Sequence, residues 1–478
     1  MPIILAVVVF GVFAEILHLI LLGIGILCLV VWIHHKSDNS VYTLSVIIFL
    51  AAYLFFTSGL RYVTAIGIPA VWLLWKFSIR SQQWRQQVTS LSSAPFNGFN
   101  DPKQKFDTVS NLIWIWFACV MLVIFIINPQ SDLAQRFLFA VLVFSVLGIY
   151  YVVFPKFLMS PHLYNRFLNA VFFAGVGVAV IGLLMTFVFQ TYTIQFGSSR
   201  LGLTSEGFSG LPFISASLYY HPNTTALVYV IAIPVGLILL TRPQAQVDSH
   251  LSWWIRIGFC IVLIGEILTY SRSSYVGLLV SLPFLIYHRF RQKAIFFMLP
   301  LVPIAFYFLS NFFMAKGSGS SISRSILYLV AYRLLFSSSM SFYFGVGIDG
   351  YEIFTAEKEL FGINDAAPSP HNVYVFFALQ FGILTTAIFI GFLVATLTRG
   401  ILWLHRHRSV SHVQPHYETM LIFTALLLGI SVHQLFEDTI QLFNNFFSFM
   451  FVISCGVIHL ISSHTSASLK PSKQQLQL

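Results

Sequence analysis

Arginine is the side chain best suited to hold a phosphate or pyrophosphate, because its guanidinium presents five donors in a planar fork and stays charged. Four arginines, Arg200, Arg272, Arg324 and Arg333, stand apart from the clusters that hold most of the chain's Lys and Arg. Any two that converged would grip a pyrophosphate; singly, each could equally anchor a helix end by reaching toward lipid headgroups. Helical phase separates two of them. Arg324, Tyr328 and Tyr332 fall at i, i+4 and i+8 and share a face, whereas Arg333 lies nine residues from Arg324, about 180° around a helix. One helix cannot turn both toward one phosphate, so Arg324 takes the aromatic face and Arg333 is expected to pair with an acid such as Asp349, Glu352 or Glu357.

His371 follows Pro368-Ser369-Pro370. Proline favours the start of a helix, so His371 is expected on the first turn of a long apolar span, at the positive end of its dipole. An imidazole kept neutral beside a bound phosphate would serve as a general base at neutral pH; the plainer reading is a histidine that caps a helix at an interface.

Other signals are weaker. Gly345-Val346-Gly347-Ile348-Asp349-Gly350 spells a dinucleotide fingerprint but follows no strand of a βαβ unit, and reads as a tight turn. Asn223-Thr224-Thr225 spells a glycosylation sequon but opens an apolar span. The acids Asp349, Glu352, Glu357, Glu359 and Asp365 lack the spacing of a cation loop and read as a solvated face. Glu266 is an intramembrane carboxyl, which is costly unless paired, and Glu437-Asp438 after His433 and Phe436 is a second acidic point at a span's end. Either could orient an arginine or merely neutralise one.

The elements that must position these residues are membrane helices. Of 478 residues 57% are hydrophobic and 9% charged, 50 are Phe, and the mean hydropathy is +0.83. A soluble domain carries roughly a quarter charged residues, so this chain needs lipid around it. Apolar runs near 41–57, 60–75, 111–128, 137–154, 167–189, 223–240, 256–271, 274–288, 294–311, 371–398, 419–436 and 444–462 are long enough to cross. Residues 1–33 add one tilted span or two shorter ones broken near Glu15 and His18, and without a basic start or cleavage site they do not read as a signal peptide. The expectation is an all-α polytopic protein with about 13 transmembrane helices (12 to 14). Cys28, Cys119, Cys260 and Cys455 each lie inside an apolar run and read as small core residues.

The formal net charge of +10 would suggest nucleic acid in a soluble protein. In a membrane protein it records orientation. Segments 33–40, 76–110, 155–166, 241–256, 289–293, 399–418 and the tail after 462 hold 18 of the 26 Lys and Arg against 5 of the 16 acids, which assigns them to the cytoplasm. The remainder carries 8 cations and 11 acids. It includes two long outer segments, 190–222 and 312–370, both with aromatics at helix-like spacing. The second begins with a Gly-Ser hinge at 316–321 and continues as an amphipathic stretch from Ser323 to Phe336.

Taken in order, several segments resemble the O-antigen ligase and polysaccharide polymerase superfamily. They are Ser271-Arg272-Ser273-Ser274 opening a span, His371-Asn372 followed after nine residues by Gly382-Ile383-Leu384-Thr385, and Arg324 to Tyr328 leading to Gly345-Val346-Gly347. His221-Pro222-Asn223 is similar to the family's Pro-Asn span opening, and Leu435-Phe436-Glu437-Asp438 to its Phe-Asp near the last spans. The resemblance covers roughly residues 195–445, with Arg200 taking the place of an arginine that shortly precedes the Pro-Asn. It implies a GT-C-like membrane glycosyltransferase, with helices in 1–189, a ligase-like domain over 190–462 and a cytoplasmic tail at 463–478. It further implies metal-independent transfer without a cofactor at the outer face of the bacterial cytoplasmic membrane. The donor would be an undecaprenyl-pyrophosphate-linked oligosaccharide and the acceptor a glycan or lipid-linked glycan; no nucleic acid is involved. On that template Arg200 and Arg324 hold the pyrophosphate, His371 is the general base, and Arg272, Tyr328, Asn372 and Arg333 line the substrate site. A secondary transporter is the alternative, since its span count and an intramembrane Glu266 would look similar.

Overall fold

A computed structural model describes residues 108–127, 133–189, 193–196, 199–202, 222–242, 249–291, 319–348, 350–360, 370–408, 415–437 and 446–468. The spans expected before residue 76 and over 294–311, and Cys28, His221, Asp349, Asp365 and Asp438, lie outside them. The helices are α1 (Thr108–Leu122), α2 (Leu133–Val146), α3 (Phe154–Leu158), α4 (Pro161–Leu183), α5 (Pro222–Leu240), α6 (Ser249–Thr269), α7 (Arg272–Phe290), α8 (Gly319–Leu335), α9 (Ser339–Phe344), α10 (Gly350–Leu360), α11 (Val373–Arg406), α12 (Pro415–His433) and α13 (Phe446–Ser468). Three of them, α1, α2 and α4, run on into wider π-helical turns at Val123–Ile127, Leu147–Val153 and Leu184–Phe189. Among the described residues six stretches are long and apolar enough to cross a bilayer: Val109–Ile127, Phe139–Lys156, Leu163–Leu183, Pro222–Leu240, Leu251–Thr269 and Val373–Arg406.

The centre is set by composition. Helices α5 and α12 are apolar or small on every side, so neither has a face to give to solvent, and both are buried almost throughout. Against α5 pack α4, α6 and α7; against α12 pack α7, α11 and α13; α1 lies on α11. At the α7 and α12 crossing a Cβ on Gly277 would come within 2.9 Å of the Gly429 carbonyl, so small residues there let the backbones approach. A buried imidazole ties three more helices. His459 Nδ1 lies 3.0 Å from Ser110 Oγ and 3.5 Å from an Arg399 nitrogen, and its Nε2 lies 2.8 Å from Thr396 Oγ1. Arg399 can only donate and Thr396 spends its proton on the Phe392 carbonyl, so Nδ1 accepts, Nε2–H donates, and the ring is neutral.

The bundle has two chemically distinct ends. At one, Arg242 and Arg289 reach Glu418 at 2.6 and 3.9 Å, Arg289 donates to the Thr241 carbonyl, and Arg291 donates to the Arg408 carbonyl. These contacts join segments 241–256, 289–293 and 399–418, which the charge pattern had assigned to one side. At the other end lie Asn223, Ser271 to Ser273, Asn372 and His433 to Glu437. Helix α5 alone separates Asn223 from Leu240 by about 26 Å at 1.5 Å per residue.

Four local expectations change. The described residues are not entirely helical: β1 (Thr193–Phe196) and β2 (Ser199–Gly202) form an antiparallel hairpin, with Gln195 opposite Arg200. Gly197-Ser198 between alternating apolar residues is a hairpin signal that aromatic spacing obscured. Helix α8 begins at Gly319, inside the Gly-Ser tract expected to be a hinge. Cys260 is exposed on α6, while Cys455 is buried as expected. His371 does not lie on the first turn of α11, as described next.

Candidate active site

Helix α11 starts at Val373 because Asn372 caps it. Its Oδ1 accepts from the amides of Tyr374 and Val375 at 2.9 and 3.1 Å, satisfying two of the donors that a helix N-terminus leaves open. Its Nδ2 donates to the Leu435 carbonyl at 2.9 Å, and the Val373 amide is shared between the carbonyls of Gln434 and Glu437 at 3.1 and 3.2 Å. The chain after α12 is thereby stapled to the start of α11. Asn372 is committed to this joint, and what its side chain does there is hold the backbone. His371 lies just outside the cap with φ +50°, a left-handed conformation that costs a non-glycine residue about 1–3 kcal/mol.

That conformation presents the imidazole to Glu437. Its Oε2 lies 3.4 Å from His371 Nδ1, its Oε1 accepts from Arg324 at 3.2 Å, and the same Oε1 accepts from Asn223 Nδ2. The Glu437 side chain is 4% exposed, so these partners compensate a carboxylate that burial alone would penalise heavily. Asn223 is buried with it, which removes the sequon reading. With Nδ1–H directed at the carboxylate, Nε2 is the nitrogen that takes a proton. Glu437 was flagged in the sequence as an acid able to orient an arginine, but nothing local indicated that it would also meet His371 and Asn223, 66 and 214 residues away.

Arg272, the first residue of α7, enters the same neighbourhood. Burial and, second, the charge of Arg324 draw its guanidinium below the ordinary arginine pKa. Two guanidiniums close enough to feel one another, one of them on the Glu437 carboxylate, form a locus suited to an anion. The turn before Arg272 is also strained, with Tyr270 at φ +49°. Glu266, the intramembrane carboxyl, accepts from Ser274.

The Gly-x-Gly run proves to be a docking turn. Gly382 breaks α11 with φ +79°, freeing upstream carbonyls from their helical donors, and the amides of Val346 and Gly347 bond the Leu379 and Gln380 carbonyls at 2.8 and 2.9 Å. Gly345 and Gly347 have φ +77° and +87°. A Cβ on Gly345 would collide with the Gln380 backbone, and one on Gly382 with that of Tyr343. The joint seats α9 on α11 and sets the loop carrying α8 above the site. On α8, Leu327, Val330 and Ala331 pack with Val346, Phe354 and Leu379, fixing the rotation that sends Arg324 to Glu437. Arg333, on the other side, meets Glu357 of α10 at 3.1 Å, as its helical phase required, and its side chain is 65% exposed. Tyr328 is partly buried one turn from Arg324. Arg200 is placed on β2, in register with Gln195 of β1.

No curated protein matches the chain. Residues 257–390 match the family model described as O-antigen ligase, a segment that includes Arg272, Arg324, His371 and Gly382 but stops short of Asn223 and Glu437 on either side. Through that segment the chain is similar to the O-antigen ligases, and among the described residues it carries six helices long and apolar enough to cross a membrane.

Proposed function

We propose that the protein is a membrane glycosyltransferase of the O-antigen ligase or polysaccharide polymerase type, acting on an undecaprenyl-pyrophosphate-linked glycan at the outer face of a bacterial cytoplasmic membrane. The observation that carries this reading is the convergence of Arg324 and His371 on the buried carboxylate of Glu437, with Arg272 close enough to feel the Arg324 charge. A pyrophosphate leaving group and a hydroxyl nucleophile need a paired cationic grip and a base, and this group holds both.

In the proposed reaction an acceptor hydroxyl oxygen attacks the anomeric carbon of the donor sugar as the bond from that carbon to the pyrophosphate oxygen breaks. The hydroxyl proton passes to His371 Nε2, while Glu437, on Nδ1, holds the ring in the tautomer that can receive it. Arg324 makes a single contact with Glu437, so its remaining donors can turn to the phosphate oxygens, and Arg272 meets the charge that develops on them. Arg200, on the hairpin, would add a second grip on the pyrophosphate. Tyr328 lies on the Arg324 face, where a sugar would stack. The cation-rich end at Arg242 and Arg289 is then cytoplasmic, as is the C-terminus, and the spans expected before residue 108 complete a fold of about 13 helices of the GT-C-like kind.

Reconstitution of the purified protein with an undecaprenyl-pyrophosphate oligosaccharide tests the reading. Glycan transfer by the wild type, lost in His371→Ala and Arg324→Ala, is the expected result. Transfer unchanged in both variants overturns the site, and absence of transfer alongside measurable solute flux favours a transporter.

A further inference from the structure

Behind the site runs a buried polar chain that the proposed chemistry does not use. Gln434 Nε2 lies 3.3 Å from His433 Nδ1, His433 Nε2 lies 3.2 Å from Ser273 Oγ, and Ser273 Oγ lies 2.9 Å from Ser271 Oγ. All four residues are at most 3% exposed. Direction follows from donor chemistry. The Gln434 amide nitrogen can only donate, so His433 Nδ1 accepts and Nε2–H donates to Ser273, whose hydroxyl is paired with that of Ser271. Ser271 occupies the N-cap position of α7, yet its hydroxyl makes no capping bond and is spent on this chain instead. On the neighbouring side Ser274 is fastened to Glu266. The serines around Arg272 are thus all held from behind, Ser271 and Ser273 by the residue at the end of α12 and Ser274 by Glu266. Gln434, at the chain's far end, accepts from the Val373 amide that opens α11.

The two strained residues of the site flank this chain. Tyr270 precedes the Ser271 end and His371 precedes the Asn372 and Val373 end, and left-handed backbone persists only where surrounding contacts over-determine it. Resting on the pyrophosphate-lipid reading above, we infer that His433 is a positioning residue that locks the turn carrying Arg272 to the segment carrying Glu437 and the start of α11. It thereby sets affinity for the pyrophosphate donor without touching the donor or the proton transferred.

The test compares His433→Leu, His433→Gln and Ser273→Ala in the full-length reconstituted protein. Glutamine keeps one acceptor and one donor near the imidazole positions, leucine keeps only bulk, and Ser273→Ala cuts the same link from the other side with little loss of volume. Donor KM is expected to rise about tenfold in the leucine and alanine variants, with kcat within about twofold of wild type, and to recover in the glutamine variant. In parallel, amide hydrogen exchange is expected to quicken in both the 270–276 and 371–376 segments of the leucine and alanine variants and to recover with glutamine. An unchanged donor KM with unchanged exchange in Ser273→Ala overturns the lock, as does a loss confined to kcat. If the wild type transfers nothing while exchange follows the expected pattern, the transferase reading falls and the lock stands.

Discussion

Glu437 and His371, 66 residues apart in sequence, meet at 3.4 Å through a carboxylate oxygen and Nδ1, while the other oxygen of the same carboxylate holds Arg324. One buried acid therefore sets the geometry of both His371 and Arg324.

This relationship predicts how Glu437 variants fail. Glu437→Gln keeps the size and some hydrogen bonding, but its amide nitrogen cannot accept from Nδ1–H, so the imidazole is released from the receptive tautomer. Transfer is expected to fall roughly 100-fold in kcat, within the range a positioned base contributes. Glu437→Ala should also lower stability, by about 1–2 kcal/mol, because Arg324 is about a third exposed and water takes up part of the lost pairing. Single-turnover transfer rates and melting in detergent separate the two effects. A Gln variant with wild-type kcat would sink the assignment of His371 as base.

The Gly345 and Gly382 joint makes a prediction about fold. Gly382→Ala places a Cβ against the Tyr343 backbone at a positive φ, so strain and overpacking add to about 2–4 kcal/mol. Protease nicking between α9 and α11 should accelerate, and Arg324 should lose its register over Glu437. Equal nicking rates in variant and wild type would show that the turn is not what seats α9.

Sequence alone carried the parts of this arrangement that are local. Helical phase separated Arg324 from Arg333, and the separate partners Glu437 and Glu357 follow from it. Apolar run length located α1, α4, α5, α6 and α11. What could not be read was the meeting of distant residues. Asn223, Arg324, His371 and Glu437 come from four separate elements, and packing of α5 and α11 on α12, together with α8 on α11, unites them. His371 lies outside the expected helix turn because Asn372, three residues beyond the Ser369 cap that Pro370 at the first helical position would imply, is the cap used. The Gly382 kink was hidden because its cause, the amides of Val346 and Gly347, lies some 35 residues upstream.

The far end of the bundle provides a contrasting case. The Arg242 side chain is 8% exposed and pairs with Glu418 at 2.6 Å, so Glu418→Ala leaves a buried cation uncompensated, at a cost of about 3 kcal/mol. Because α5 keeps this end about 26 Å or more from Asn223, donor KM and kcat per folded molecule are expected to stay within about twofold of wild type. Lower melting temperature with intact kinetics is the signature. A changed donor KM would place the ion cluster in communication with the site.

The two arginines of α8 yield the sharpest comparison, because they share a helix and differ only in direction. Arg324 contacts the buried Glu437, whereas Arg333 is mostly in the open, paired with Glu357. Arg333→Ala is expected to change stability by no more than about 0.5 kcal/mol, the scale of an exposed pair, and to leave transfer unchanged. Arg324→Lys retains a charge but loses the fork that can face a carboxylate and a phosphate at once, so donor KM should rise roughly tenfold and kcat should drop with it. Initial rates across donor concentration for the two variants decide the matter. Equal losses in both would overturn the separation of the two arginines by helical phase.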